Sequence, residues 1–217
     1  METQNKKILF LGDSITEGVG ASCVENGYVS VFGKISGADV RNYGISGTRI
    51  ARQKHPSKNP RCDLDFVQRV DDMEAEADVV VAFGGSNDYG HGDAPLGNFE
   101  SRDVYTFYGA MHILCQKLIN KYPKAMIMFI TPLHRRNERS ELNEMGTKSA
   151  APLSGYVDII KETARYYSLP VLDLYAVSGL QPEVDIIRKL YMPDGLHPND
   201  AGAKIIAERI MGFLKSF

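Results

Sequence analysis

The chain has 217 residues, 43% of them hydrophobic and 24% charged, with a formal net charge of -2. Those proportions suit a globular protein with a sizeable core, and so small a charge provides no general attraction to nucleic acid or to an anionic membrane. Met1 to Lys7 is polar, the apolar run after it is about five residues long, and no stretch approaches the roughly 18 that cross a bilayer, so neither signal peptide nor membrane insertion is expected.

Cys23, Cys62 and Cys115 lie far apart and out of metal-ligand spacing. Reduced thiols in a cytoplasmic protein are therefore the expectation.

Along the chain, apolar runs of strand length alternate with longer helical patterns. Lys7 to Leu11 reads as a strand and Tyr28 to Ile35 as a helix. Asp39 to Tyr43 and Leu64 to Met73 repeat that order, as do Asp78 to Phe83 with Asp103 to Tyr122, and Ala125 to Thr131 with Pro152 to Tyr167. Pro170 to Leu174 and Asp200 to Phe217 complete the series. Lys121-Tyr122-Pro123 stops the third helix, and Pro198-Asn199-Asp200 offers an N-cap to the last. Most of the strands are continuous Val/Ile/Leu/Phe/Met runs, the pattern of strands buried on both faces of a parallel sheet. Five β-α units predict one α/β domain over residues 1–217, with about five parallel strands and helices on both faces of the sheet. The polar segment His134 to Ser149 is the one long excursion, and it is expected to border the cleft.

In an open parallel sheet, ligands bind where strands deliver their C-terminal ends into loops. Ser14 follows the first strand, Asn42-Tyr43-Gly44-Ile45-Ser46-Gly47 the second, Gly84-Gly85-Ser86-Asn87-Asp88 the third, and Asp194-Gly195-Leu196-His197 comes after the fifth. A hydroxyl becomes a useful nucleophile beside a base, and the base needs an anion to orient it. Ser14 would attack a carbonyl, His197 would take its proton and return it to the leaving group, and Asp194 would fix the imidazole tautomer. The backbone N–H groups of Ser14 and Gly47 and the side-chain amide of Asn87 are placed to receive the oxyanion.

At these residues the chain resembles the GDSL-type esterases and lipases, the SGNH hydrolase superfamily. Residues 12 to 18 (Gly-Asp-Ser-Ile-Thr-Glu-Gly) are similar to the nucleophile block, Gly44-Ile45-Ser46-Gly47 to the glycine block, Gly85-Ser86-Asn87-Asp88 to the G-x-N-D block, and Asp194-Gly195-Leu196-His197-Pro198 to the D-x-x-H block. One GDS is weak evidence, but four blocks in the family's order are not. Ile15 stands where the family usually has Leu. The resemblance implies a three-layer α/β/α, flavodoxin-like fold, no cofactor, and Ser14, Gly47, Asn87 and His197 as signature residues, with Gly44 the alternative glycine.

Each residue also has a structural reading. Ser14 alone is a good helix cap, and Asp13 is better explained by hydrogen bonds from its turn than by catalysis. Gly84, Gly85 and Gly90 lack the Gly-Lys-Ser/Thr of a phosphate loop. His55, His91 and His134 sit on different loops without the carboxylate spacing of a metal site, His112 reads as a packing residue, and Arg135, Arg136 and Arg139 interleave with Glu138, Glu141 and Glu144 as a solvated face. The expected function is a cofactor-independent serine esterase for a small-molecule ester of short acyl chain, an acetylated carbohydrate first, because residues 88–98 and 134–149 are polar and no apolar lid is evident. Lysophospholipid or acyl-thioester hydrolysis is the alternative within enzymes, and a non-catalytic carbohydrate-binding protein the alternative outside them.

Overall fold

The computed structural model describes residues 1–142, 144, 146 and 150–217. Five strands form one parallel sheet: β1 (Lys7–Gly12), β2 (Asp39–Gly44), β3 (Val79–Phe83), β4 (Met126–Ile130) and β5 (Val171–Leu172), in the order β2-β1-β3-β4-β5. The chain therefore winds outward in both directions from β1 and β3, and the point where it reverses lies between their C-terminal ends.

β1, β3 and β4 are buried almost throughout, and alternate side chains enter two separate cores. Ile8 and Phe10 point to one face, where they pack with Ile15, Tyr28, Phe32 and the inner residues of the C-terminal helix. Leu9 and Leu11 point to the other, among Ile50, Phe66, Phe107, Met111, Tyr156 and Ile160. Phe10 meets Tyr28 and Phe32 edge-on, with centroids 5.8 and 5.5 Å apart, an arrangement favoured by the ring quadrupoles.

Nine α-helices are found among the described residues: α1 (Ser14–Glu17), α2 (Tyr28–Ser36), α3 (Phe66–Arg69), α4 (Ser86–His91), α5 (Phe107–Lys121), α6 (Leu153–Tyr166), α7 (Leu174–Val177), α8 (Asp185–Tyr191) and α9 (Asp200–Leu214). The three-layer α/β/α arrangement expected from the sequence is thus the one observed. Asn199 caps α9 by accepting from Gly202 N at 3.1 Å. Among the described residues no helix is long and apolar enough to cross a membrane.

Several boundaries differ from expectation. The helix expected over Leu64 to Met73 is only one turn of α-helix, capped by Asp65, whose carboxylate accepts from Gln68 N at 2.9 Å. Asp71 and Asp72 follow, acidic groups at the negative end of the helix dipole, and the chain there tightens into bonds to the third residue back. β5 is two residues long: Pro170 has no N–H for the ladder, and Asp173 caps α7 by accepting from Ala176 N at 3.2 Å. The fifth predicted helix ends at Leu214 and the third begins at Phe107, behind the Thr106 cap. Residues 86–91 and 185–191 form helices that the periodicity did not reveal. Of the excursion from His134 to Ser149, residues 143, 145 and 147–149 lie outside the described ones.

Candidate active site

Ser14 stands at the end of β1 as the first residue of α1. Asp13 supplies the cap, its carboxylate accepting from Ile15 N at 3.0 Å, so the turn presents the Ser14 hydroxyl at the C-terminal edge of the sheet. Burial lifts Asp13 to about 6, against the hydrogen bond from Ile15 and the positive charges of Arg69 and Arg135. The Ser14 Oγ lies 2.9 Å from His197 Nε2. The His197 Nδ1 is 2.7 Å from Asp194 Oδ2, while Asp194 Oδ1 accepts from the N–H groups of Leu196 and His197 at 2.8 and 2.7 Å. A carboxylate only accepts, so the imidazole carries its proton on Nδ1 and turns the Nε2 lone pair toward Ser14. Partial burial raises the Asp194 carboxyl, but its bonds from the His197 backbone and ring outweigh that and hold it below the ordinary carboxylate value.

The turn carrying this pair depends on Gly195, which adopts φ +81 and packs on the Arg136 side chain. Arg136 N in turn donates to Gly195 O at 2.9 Å.

Gly47 follows β2 and Asn87 follows β3, at the same C-terminal edge of the sheet as Ser14. Gly47 has φ +77, and a Cβ there would sit 2.5 Å from Cys62 Sγ, so both dihedral and space demand glycine. Among the described residues neither Ser14 N–H nor Gly47 N–H meets a protein acceptor. Gly44, the alternative, donates its N–H to Asn42 Oδ1 at 2.8 Å and is pressed against the α1 backbone. Asn87 spends one amide hydrogen on Thr48 O at 3.0 Å and retains the other. Ser14, Asp194, His197, Gly47 and Asn87 are thus brought to one edge of the sheet.

Three charged groups hold this edge: Asp88, which the sequence places in the G-x-N-D block, and Arg69 and Arg49, which escaped the reading of the sequence. Arg69 is 5% exposed; its guanidinium donates to Gly12 O at 3.1 Å, to Thr48 Oγ1 at 2.8 Å and to Tyr43 O. It ties the C-terminal ends of β1 and β2 to the loop that follows β2. Burial lowers it to about 10. Asp88 is buried and accepts from Ile50 N and Ala51 N at 3.0 and 2.9 Å, and burial pushes it up to about 6. Arg49, 3% exposed, donates to His91 Nδ1 at 2.8 Å. For the two arginines the signal in the sequence was a charge within an apolar stretch, as at Phe66-Val67-Gln68-Arg69-Val70.

Arg135 requires a correction. It does not belong to a solvated face: it is 5% exposed, donates to Ser86 O at 3.2 Å, pairs with Glu144 and lies over the Tyr89 ring. The Tyr89 ring and the Ser86 carbonyl offer it a buried partner that sequence spacing does not reveal. His134 binds Glu138 at 2.9 Å and stacks on Tyr175, and His55 pairs with Asp93. His112 is fully buried among Phe99, Tyr166 and Tyr167. Among the described residues no three His, Cys, Asp or Glu side chains are grouped to hold a metal ion.

Residues 10–205 match the model of the GDSL-like Lipase/Acylhydrolase family. A solved structure 35% identical to the chain covers 100% of it, with 99% of its own length matched and a TM-score of 0.85. A protein from Lactobacillus plantarum is 30% identical over 98% of each chain, with a TM-score of 0.82. An acetyl xylan esterase shares the fold at 22% identity, over 96% of this chain and 99% of its own, with a TM-score of 0.66. No curated protein matches the sequence.

Proposed function

Because the chain belongs to the GDSL-like lipase/acylhydrolase family, we propose that it is a cofactor-independent serine esterase that cleaves small carboxylic esters through an acyl-enzyme. The observation that carries this reading is the relay in which Asp194, His197 and Ser14 are joined at 2.7 and 2.9 Å. In it, the Ser14 Oγ attacks the ester carbonyl as its proton passes to His197 Nε2. Asp194 steadies the imidazolium. The tetrahedral oxyanion takes hydrogen bonds from Ser14 N–H, Gly47 N–H and the free amide hydrogen of Asn87. Collapse breaks the ester C–O bond, and His197 returns its proton to the leaving alkoxide. Water, deprotonated by the same imidazole, then hydrolyses the acyl-serine.

The substrate is proposed to be a short-acyl ester with a polar alcohol, an acetylated carbohydrate first. The rim beside Gly47 supports this. Glu17 accepts from Ser46 N at 2.7 Å and from Arg61 Nη2 at 2.6 Å, so polar groups occupy the approach. The acetyl xylan esterase among its structural relatives is in keeping with it. One observation favours longer chains: Val184, Ile186 and Leu190 are exposed on and before α8, the helix that leads into Asp194.

Hydrolysis of p-nitrophenyl esters from two to twelve carbons by wild type and Ser14→Ala tests both choices. Activity highest on acetate and lost in the variant is the expected result; an optimum at long chains reverses the acyl-length reading. Wild type that binds acetylated glycans without Ser14-dependent turnover would make it a binding protein.

A further inference from the structure

Helix α4 sends two side chains to the loop behind β2. Asn87 donates to Thr48 O, and His91, one turn further along the same face, meets the neighbouring Arg49. The Arg49 Nη1 donates to His91 Nδ1 at 2.8 Å and to His91 O at 3.2 Å. Its Nη2 is held on the far side by Ser57 Oγ at 2.7 Å, Asp63 Oδ1 at 3.1 Å and Cys62 O at 3.3 Å. The guanidinium is therefore fixed, and only 3% exposed.

A guanidinium donates and never accepts, so the ring nitrogen facing it must present a lone pair. The His91 proton then resides on Nε2. Burial first, and then the positive charges of Arg49 and Arg135, push this histidine down to about 4, which keeps the ring neutral and in that one tautomer at ordinary pH. The ring is half-buried, and among the described residues its Nε2–H has no acceptor. A structural staple uses Nδ1 alone; it leaves unexplained a donor locked in direction one helical turn from the amide of Asn87.

We infer that His91 is a specificity-determining residue, a fixed neutral hydrogen-bond donor that reads an acceptor oxygen on the alcohol part of the substrate. The inference rests on the esterase reading and deepens it. An acetyl group carries no heteroatom beyond its carbonyl, so in a short-acyl ester the oxygens left to recognise belong to the alcohol. The class selected is a sugar or other polyol, whose hydroxyl or ring oxygen accepts from Nε2.

The test compares kcat/KM for a monoacetylated methyl glycoside and for cyclohexyl acetate, in wild type, His91→Asn and His91→Gln. Asparagine can still accept from Arg49 but its amide ends where Nδ1 stands, whereas the glutamine amide reaches the place of Nε2. His91→Asn is expected to lower the ratio of glycoside to cyclohexyl ester about tenfold, the effect of one neutral hydrogen bond. His91→Gln is expected to keep that ratio within about threefold of wild type. Using a ratio cancels any loss of folded enzyme, and His91→Phe serves in the same way should His91→Asn not fold. Equal losses on both esters, an unchanged ratio in His91→Asn, or a fall in His91→Gln as deep as in His91→Asn overturns the inference and leaves the esterase standing. Wild type without Ser14-dependent hydrolysis of either ester overturns both.

Discussion

The Asp194–His197 turn that meets Ser14 and the floor formed by residues 47–51 with α4 are held by opposite means. In the turn, the residues that matter are three apart in sequence, and the Asp194 side chain is 54% exposed. One carboxylate makes the bonds that shape the turn and the bond that orients the ring. The floor is assembled from segments about forty residues apart, and it is secured by buried ions: Asp88 on Ile50 N and Ala51 N, Arg69 on Gly12 O and Thr48 Oγ1, Arg49 on His91. Local spacing can tolerate solvent. A geometry made by distant segments needs partners that cannot be exchanged for water, and it incurs the desolvation of those charges.

Breaking the turn should have the largest effect. His197→Ala is expected to lower kcat by roughly 10⁴-fold or more with little change in thermal midpoint, because the relay acts as a unit and its members carry little of the core. A kcat within tenfold of wild type on p-nitrophenyl acetate would remove His197 from the chemistry.

On the floor, Asn87→Ala deletes one of the proposed oxyanion donors and should lower kcat by about 10² to 10³, with KM nearly unchanged. It also removes the bond to Thr48 O. Measuring kcat and KM separately distinguishes a donor, which acts on kcat, from a collapsed loop, which also raises KM.

The buried carboxylate of Asp88 sharpens the comparison through pH. Its pKa is raised from 3.8 to about 6 in the fold, so between those values the native state binds more protons than the unfolded chain. Stability from this group is then present at low pH and lost as pH rises through about 6. Asp88→Asn cannot titrate. Urea unfolding at pH 4 and pH 7 should therefore show the variant gaining on wild type by up to about 3 kcal/mol as pH rises. A difference that does not move with pH, or that moves the other way, would refute the buried-acid account.

Arg69→Lys should have the smallest effect. Lysine keeps the charge but loses the planar fork that reaches Gly12 O, Tyr43 O and Thr48 Oγ1 together. A loss of about 1 to 2 kcal/mol in stability and a kcat lowered about tenfold are expected, from one or two buried acceptors left unpaired. Chemical denaturation and steady-state kinetics on one preparation measure both.

The same contrast decides how much was legible in the sequence. Ser14, Asp194 and His197 were visible because Gly-Asp-Ser follows an apolar run and Asp-x-x-His has a fixed spacing. The buried strands β1, β3 and β4 were visible because a strand covered on both faces is apolar throughout. α4 was not, since its sequence of Ser, Asn, Asp and Gly has poor intrinsic helix preference and is held by contacts with the 48–51 loop. Arg135 read as surface, because interleaved Arg and Glu describe a solvated face equally well.

The sequence by itself determined the alternation of strands and helices, the two faces of the sheet and the local turn that joins Asp194 to His197, since each follows from periodicity or short spacing. Only the tertiary structure decided which charges are buried at the sheet edge, how Arg69 and Asp88 tie the floor to it, and which nitrogen of His91 carries the proton. Those properties depend on contacts between segments far apart in the chain, and burial changes the energy of a charge in a way that its neighbours in sequence do not record.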